Sequence, residues 1–244
     1  MKGQPEMPET VKRKNRYLFF PALLLAIMAL LAGGCSKKEN NYIFFYPESK
    51  TVKDADGNVY HLVYIMGQTW MVENLKTTHF RNGDTLQGVK DPAAWGQTVG
   101  GAYCNYNNDT AMANAYGRLY NRNAVTRGDL CPYPWHVPYD FEWQKMVDTL
   151  GGAAAAGGML KETGTTHWQS ATGASNQYGF TALPGGRTDN TGTFHDIGLR
   201  GYWWSSKNSL DMILVRSISH DDASIFRSEA DKKSGFSVRC IRDY

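Results

Sequence analysis

Residues 135–150 read Trp135-His136-Val137-Pro138-Tyr139-Asp140-Phe141-Glu142-Trp143-Gln144-Lys145-Met146-Val147-Asp148-Thr149-Leu150. After the proline, apolar side chains fall at 143, 146, 147 and 150, the i, i+3, i+4, i+7 stripe of an amphipathic helix. Asp140 is its expected N-cap and Gly151 its stop. Elsewhere the signals are short strands and turns. Asp56-Gly57-Asn58 separates Thr51-Val52 from the β-prone run Val59 to Ile65, which predicts a hairpin. Gly67 to Leu75 supplies a second strand with a polar tail. Residues 81–101 read as loop, and Tyr116 to Val125 as a short helix carrying Leu119, Tyr120 and Ala124. The alanine-rich Gly151 to Gly158 is either a loop or the start of a helix running to Lys161. Three runs, at 202–206, 212–218 and 236–241, predict closely spaced terminal strands. The expected class is α+β, with short twisted antiparallel sheets, few helices and long loops.

The first 50 residues have a different character. Lys12, Arg13, Lys14 and Arg16 precede an apolar run from Tyr17 to Leu31, and Ala32-Gly33-Gly34 leads directly to Cys35. A positive flank, an apolar stretch and small residues at a cleavage site define a secretory signal. The run is short for a span, which needs ~20 apolar residues. A cysteine at the cut takes a lipid that replaces the helix as anchor. The expected organisation is therefore a signal peptide at 1–34, lipidated Cys35 with a tether to residue 50, and a domain at 51–244. The bacterial lipobox usually carries Leu three positions before the cysteine, where this chain has Ala32. An ordinary signal peptide with a chance cysteine and a retained signal anchor are the other readings. The polar start of the tether, Ser36 to Asn41, lacks an acidic run, so an outer-membrane lipoprotein facing the periplasm is expected rather than surface display.

The net charge of +3 belongs to the leader. Residues 1–35 hold five Lys or Arg and two Asp or Glu, which leaves 21 of each beyond Cys35. A neutral domain without a clustered basic face excludes a nucleic-acid footprint. Cys104, Cys131 and Cys240 remain after lipidation; export favours a disulfide, and the odd count leaves one thiol over.

Six strings, taken in order, carry a resemblance. They are Asp56-Gly57-Asn58-x-Tyr60, Gly67-Gln68-x-Trp70-Met71-x-Glu73-Asn74-Leu75, Tyr116-Gly117-Arg118-Leu119-Tyr120-Asn121, Leu130-Cys131-Pro132, Trp135-His136-Val137-Pro138-x-Asp140-x-Glu142-Trp143 and Gly235-Phe236-Ser237-Val238-Arg239-Cys240. Together they resemble the Fibrobacter succinogenes major paralogous domain, common in lipoproteins of Bacteroidetes and Fibrobacteres. The resemblance covers roughly residues 51–243. It implies a C-type-lectin-like fold related to the formylglycine-generating enzymes, and no established activity. Such folds often tie the strand after the first helical region to the last strand, which implies a Cys131–Cys240 disulfide. That bridge would close a loop of about 110 residues, worth ~4–5 kcal/mol in the chain-entropy account. Cys104 is then a small buried thiol.

The candidate chemistry is sparse. Trp203-Trp204 is expected to alternate across a strand, one ring inward and one free to stack on a ligand. Arg187, in the loop Pro184-Gly185-Gly186-Arg187, approaches this region in lectin-like folds. His136 has no second His or Cys at metal-ligand spacing and reads as a hydrogen-bonded structural residue. His195-Asp196 and His220-Asp221-Asp222 read as solvated turns, and Asp54-x-Asp56-Gly57-Asn58 as a turn rather than a calcium loop. Gly-x-Ser-x-Gly is absent, as are the Glu-Pro-Asn, Gln-Pro-Asp and Trp-Asn-Asp signatures of calcium-dependent lectins. The sulfatase-activating relatives use two reactive cysteines near the C-terminus, and only Cys240 lies there. No catalytic residue, metal or cofactor is expected. The expected function is an envelope-anchored, non-catalytic binding or adhesion domain. Its partners are the bilayer, through acylated Cys35, and a glycan or envelope protein. A degenerate formylglycine-generating-type enzyme and a structural envelope protein are the rivals.

Overall fold

A computed structural model describes residues 50–206 and 214–243. The expected leader and tether, with Cys35, fall within residues 1–49 and lie outside them, as do Met212-Ile213 of one expected strand. The chain divides into Met1–Phe45, also outside, and Tyr46–Tyr244, which holds the fold described below.

The first hairpin is β1 (Thr51–Lys53) and β2 (Val59–Ile65), paired antiparallel with Thr51 opposite His61. Its turn forms because Gly57 adopts φ +82° and the Asp54 carboxylate accepts from the Asp56 and Asn58 amides at 2.9 and 3.0 Å. Both acids of the calcium-like string are thus held within the turn and its neighbours. β3 (Gln68–Met71) pairs with β2, and the last strand, β13 (Ile241–Arg242), inserts between β3 and β7 (Trp135–His136). The resulting five-stranded sheet runs β1-β2-β3-β13-β7. A second runs β12-β11-β10-β8-β9, from β8 (Gly185–Thr188), β9 (Phe194–Ile197), β10 (Arg200–Trp204), β11 (Leu214–Ser219) and β12 (Ile225–Glu229). A third, small sheet joins β4 (Gln87–Gly88), β5 (Ala102–Cys104) and β6 (Leu119–Tyr120). Pairing is antiparallel except at β8–β10 and β4–β5.

Five α-helices lie among the described residues: α1 (Pro92–Trp95), α2 (Thr110–Tyr116), α3 (Arg122–Thr126), α4 (Asp140–Thr149) and α5 (Ala153–Leu160). The class is therefore α+β with few helices and several short sheets. In α4 the stripe Trp143, Met146, Val147 and Leu150 is fully buried. The helix ends in a Schellman pair, Gly152 N–H to Val147 O at 2.9 Å and Gly151 N–H to Asp148 O at 3.3 Å, with Gly151 at φ +88°. Its start differs from the expectation. Tyr139 is the N-cap, and Asp140 is the first helical residue. The Glu142 carboxylate reaches back to the Tyr139 amide at 2.8 Å, which frees Asp140 to bind Arg216 and Arg227. Those two arginines outweigh the burial that would raise the Asp140 pKa, and hold it below the usual carboxylate range.

Two further segments depart from the sequence reading. The stretch 81–101 is not loop throughout, since it holds β4 and α1. The helix expected over 116–125 is two helices split by a strand. Gly117 at φ +81° ends α2, and Leu119-Tyr120 then pair with β5. Local spacing cannot distinguish a two-residue strand from one helical turn; the pairing partner decides it.

The core has two main clusters. One gathers Trp70, Trp143, Trp168, Trp203 and Phe180 with α4 and α5 side chains. The other gathers Tyr60, Tyr120, Trp204 and Phe236 around Cys131 and Cys240. Those cysteines form a disulfide spanning 109 residues. Among the described residues no helix is long and apolar enough to cross a membrane.

Candidate functional site

The recurrent strings meet at a buried polar node. Arg239 is fully buried and donates from Nε and Nη2 to Asn74 Oδ1 at 3.1 and 2.8 Å, and from Nη1 to Phe180 O. Trp203 Nε1 donates to the same Asn74 oxygen at 2.8 Å. Asn74 Nδ2 donates to Tyr116 O at 2.8 Å. A Cβ on Gly117 would stand 2.6 Å from the Asn74 Cβ, so only glycine permits this approach. Among the described residues no carboxylate touches the guanidinium. Burial pushes its pKa down to about 9, which still leaves it charged at neutral pH, with its face 4.2 Å from the Phe180 ring. The Glu73-Asn74-Leu75, Tyr116–Asn121 and Gly235–Cys240 strings are therefore one structural unit. Likewise Trp70 packs on Trp143 with centroids 4.7 Å apart, and Gln68 Nε2 donates to Glu142 O at 3.0 Å, joining two more strings.

The expected stacking platform is not present. Trp203 and Trp204 do alternate, but both are fully buried. β10 is the middle strand of its sheet, with one core cluster on each face, so neither ring meets solvent. Arg187 lies within β8 rather than in a loop. It approaches Asp196 at 3.3 Å and the Tyr202 ring at 5.8 Å, while the Tyr202 hydroxyl donates to Asp196 at 2.7 Å. The geometry brings Arg187 to Tyr202, not to the two tryptophans.

All six histidines have partners. His61, His79, His167 and His195 pair with Glu73, Asp56, Glu162 and Asp189. His220 Nδ1 lies 2.8 Å from Ser170 Oγ, which is also within hydrogen-bond distance of the His220 carbonyl oxygen at 3.0 Å. His136 sits between Glu142, 2.8 Å from Nε2, and Asp243, 2.5 Å from Nδ1. Burial alone would pull the His136 pKa down, but the two carboxylates prevail and raise it above its ordinary value. Its stabilising effect is therefore complete below about pH 6.5, the unfolded value, and is lost as pH rises through the higher folded pKa. Urea unfolding measured from pH 5.5 to 8.5 is expected to show this fall, and His136→Asn should flatten it. An unchanged slope in that variant would refute the assignment.

The thiols are equally committed. Cys131 and Cys240 are buried in their disulfide, and Cys104 is a buried free thiol whose pKa burial drives far up. Among the described residues no group of three His, Cys, Asp or Glu is arranged to hold a metal.

Two open clefts of about 290 Å³ lie among the described residues. One is bounded by Lys53, Asp54, His79, Arg81 and the exposed Tyr133. The other lies beside β5 and is lined by Lys90, Tyr103, Asn105, Asn108, Thr110 and Arg118. The arginine that lines it belongs to the Tyr116–Asn121 string. Asn105 to Thr110 carry no chemical signature in the sequence, where only the preceding Cys104 does.

A disulfide-stapled α+β module, with its recurrent strings in the core and its open clefts on loops, is the class these features define. The family model of the Fibrobacter succinogenes major domain matches residues 63–242, and the chain belongs to that family. No curated protein and no solved structure matches it.

Proposed function

We propose that this chain is a bacterial envelope lipoprotein whose domain is a non-catalytic binding module of C-type-lectin-like architecture. Cys35 carries the lipid, the outer membrane holds it, and the domain faces the periplasm. The positive flank, apolar run and small residues before Cys35 support the anchor. Membership of the Fibrobacter succinogenes major domain family is consistent with such a carrier.

The observation that favours binding over the formylglycine-generating type of catalysis is the state of the thiols. That chemistry needs a reactive cysteine pair, whereas Cys240 is bonded to Cys131 and Cys104 is buried with a raised pKa. The ligand is a glycan or an envelope protein.

Cys35→Ala is expected to move the chain from the membrane to the soluble fraction and to abolish labelling by a fatty-acid analogue. Retention in the membrane would overturn the anchor. Glycan arrays and pull-downs with the detergent-solubilised chain should return a partner. A thiol-dependent oxidase turnover lost in Cys240→Ser would instead establish the enzyme.

A further inference from the structure

Resting on the reading of this domain as a binding module, we infer that the cleft beside β5 is its ligand site and that it takes an acidic sugar residue. Six side chains carry the argument: Lys90, Tyr103, Asn105, Asn108, Thr110 and Arg118.

The charge is one-sided. Lys90 and Arg118 line the cleft, and no Asp or Glu does. Lys90 is exposed and makes no ion pair among the described residues. The Asp91 and Asp109 carboxylates, adjacent in sequence to Lys90 and Thr110, are each held on a helix start, by the Ala93 amide at 3.0 Å and the Ala111 amide at 2.8 Å. Two cations with no carboxylate lining the same concavity attract an anion, and a guanidinium matches the geometry of a carboxylate. The other large cleft differs here, because Asp54 forms part of its wall.

The arginine is already in position. Its Nε donates to Lys76 O at 2.8 Å, Nη1 donates to Asn105 Oδ1, and the guanidinium lies over the Tyr103 ring at 4.6 Å. Nη2 has no partner among the described residues and is left for a ligand. The phenol end of Tyr103 is seated against Gly88, where a Cβ would come within 2.9 Å of its oxygen. A binding group held this way loses little freedom when the ligand arrives.

The rim is built for hydroxyls. Asn107 and Asn108 both adopt left-handed backbone, φ +51° and +58°. Asn108 Nδ2 is tied to Lys90 O at 2.8 Å, so its carbonyl oxygen stays available, beside the Asn105 amide and the Thr110 hydroxyl. Amide and hydroxyl groups offer both donors and acceptors, which a simple anion does not require and a sugar ring does. The volume, about 290 Å³, is at the small end of ligand sites and suits one or two sugar rings.

The test is calorimetric titration of the full chain in mild detergent with digalacturonate, with a glucuronate-containing disaccharide, with neutral digalactose and with inorganic phosphate. Binding is expected for an acidic disaccharide and not for digalactose or phosphate. Asn105→Asp places a carboxylate beside Arg118, where it improves the local pairing but cancels the cleft charge. It should weaken acidic-sugar binding by about tenfold or more, the scale of one charge-assisted contact, with an unchanged or higher Tm. Lys90→Ala should weaken it several-fold. No binding of either acidic disaccharide, or equal binding of phosphate, overturns the proposal. An acidic sugar that binds equally well to Asn105→Asp also overturns this cleft, yet leaves the binding-module reading intact, so the two failures are told apart.

Discussion

Removing the disulfide, as Cys131→Ala with Cys240→Ala, is expected to lower the unfolding free energy by about 4–5 kcal/mol. The bridge spans 109 residues, so its absence returns a large loop entropy to the unfolded chain. Position adds to the effect. Cys240 immediately precedes β13, the internal strand that joins β3 to β7, and its carbonyl accepts from the Met71 amide at 3.0 Å. Both cysteines lie in the cluster with Tyr60, Tyr120, Trp204 and Phe236, so truncation also leaves small voids there. For a domain with typical stability of about 5–15 kcal/mol, this is a large fraction. Urea unfolding of the alanine pair and of the reduced native chain should give similar losses. A loss below about 1 kcal/mol in both would show that the bridge is dispensable.

Asn74→Leu is expected to cost about 3–5 kcal/mol, because it strands a buried guanidinium. Asn74 Oδ1 receives three donors, two from Arg239 and one from Trp203. Leucine matches the volume and supplies no acceptor, so Arg239 keeps the hydrogen bond to Phe180 O and the Phe180 and Trp203 ring faces. Arg239→Met removes the charge along with its needs and should cost less. The double variant should be less destabilised than the sum of the two singles, which a thermodynamic cycle on urea unfolding would measure. Additive losses would mean that the node is not coupled.

How far the sequence could be read depends on how local each cause is. The stripe of α4 and its glycine stop were legible because a helix is defined by spacing within one turn, and because Gly151 can take the left-handed conformation that ends it. The hairpin at Asp56-Gly57-Asn58 was legible for the same reason. The N-cap was misplaced by one residue because Asp140 has partners 76 and 87 residues away, Arg216 and Arg227, that no local rule contains. The β5 cleft was not legible at all. Lys90, Asn105 and Arg118 become neighbours only when β4, β5 and β6 pair.

The sequence alone determined the α+β class, the family and the balanced charge of the residues beyond Cys35, since composition, period and ordered motifs need no third dimension. Tertiary structure decided what the motifs are for. Trp203 and Trp204 alternate as the strand period requires, yet both are buried because the sheet is covered on its two faces, and only packing determines whether an outward side is solvent. The same packing turned Asn74, Gly117 and Arg239, scattered over 165 residues, into one buried node, and left Arg118 open to a cleft.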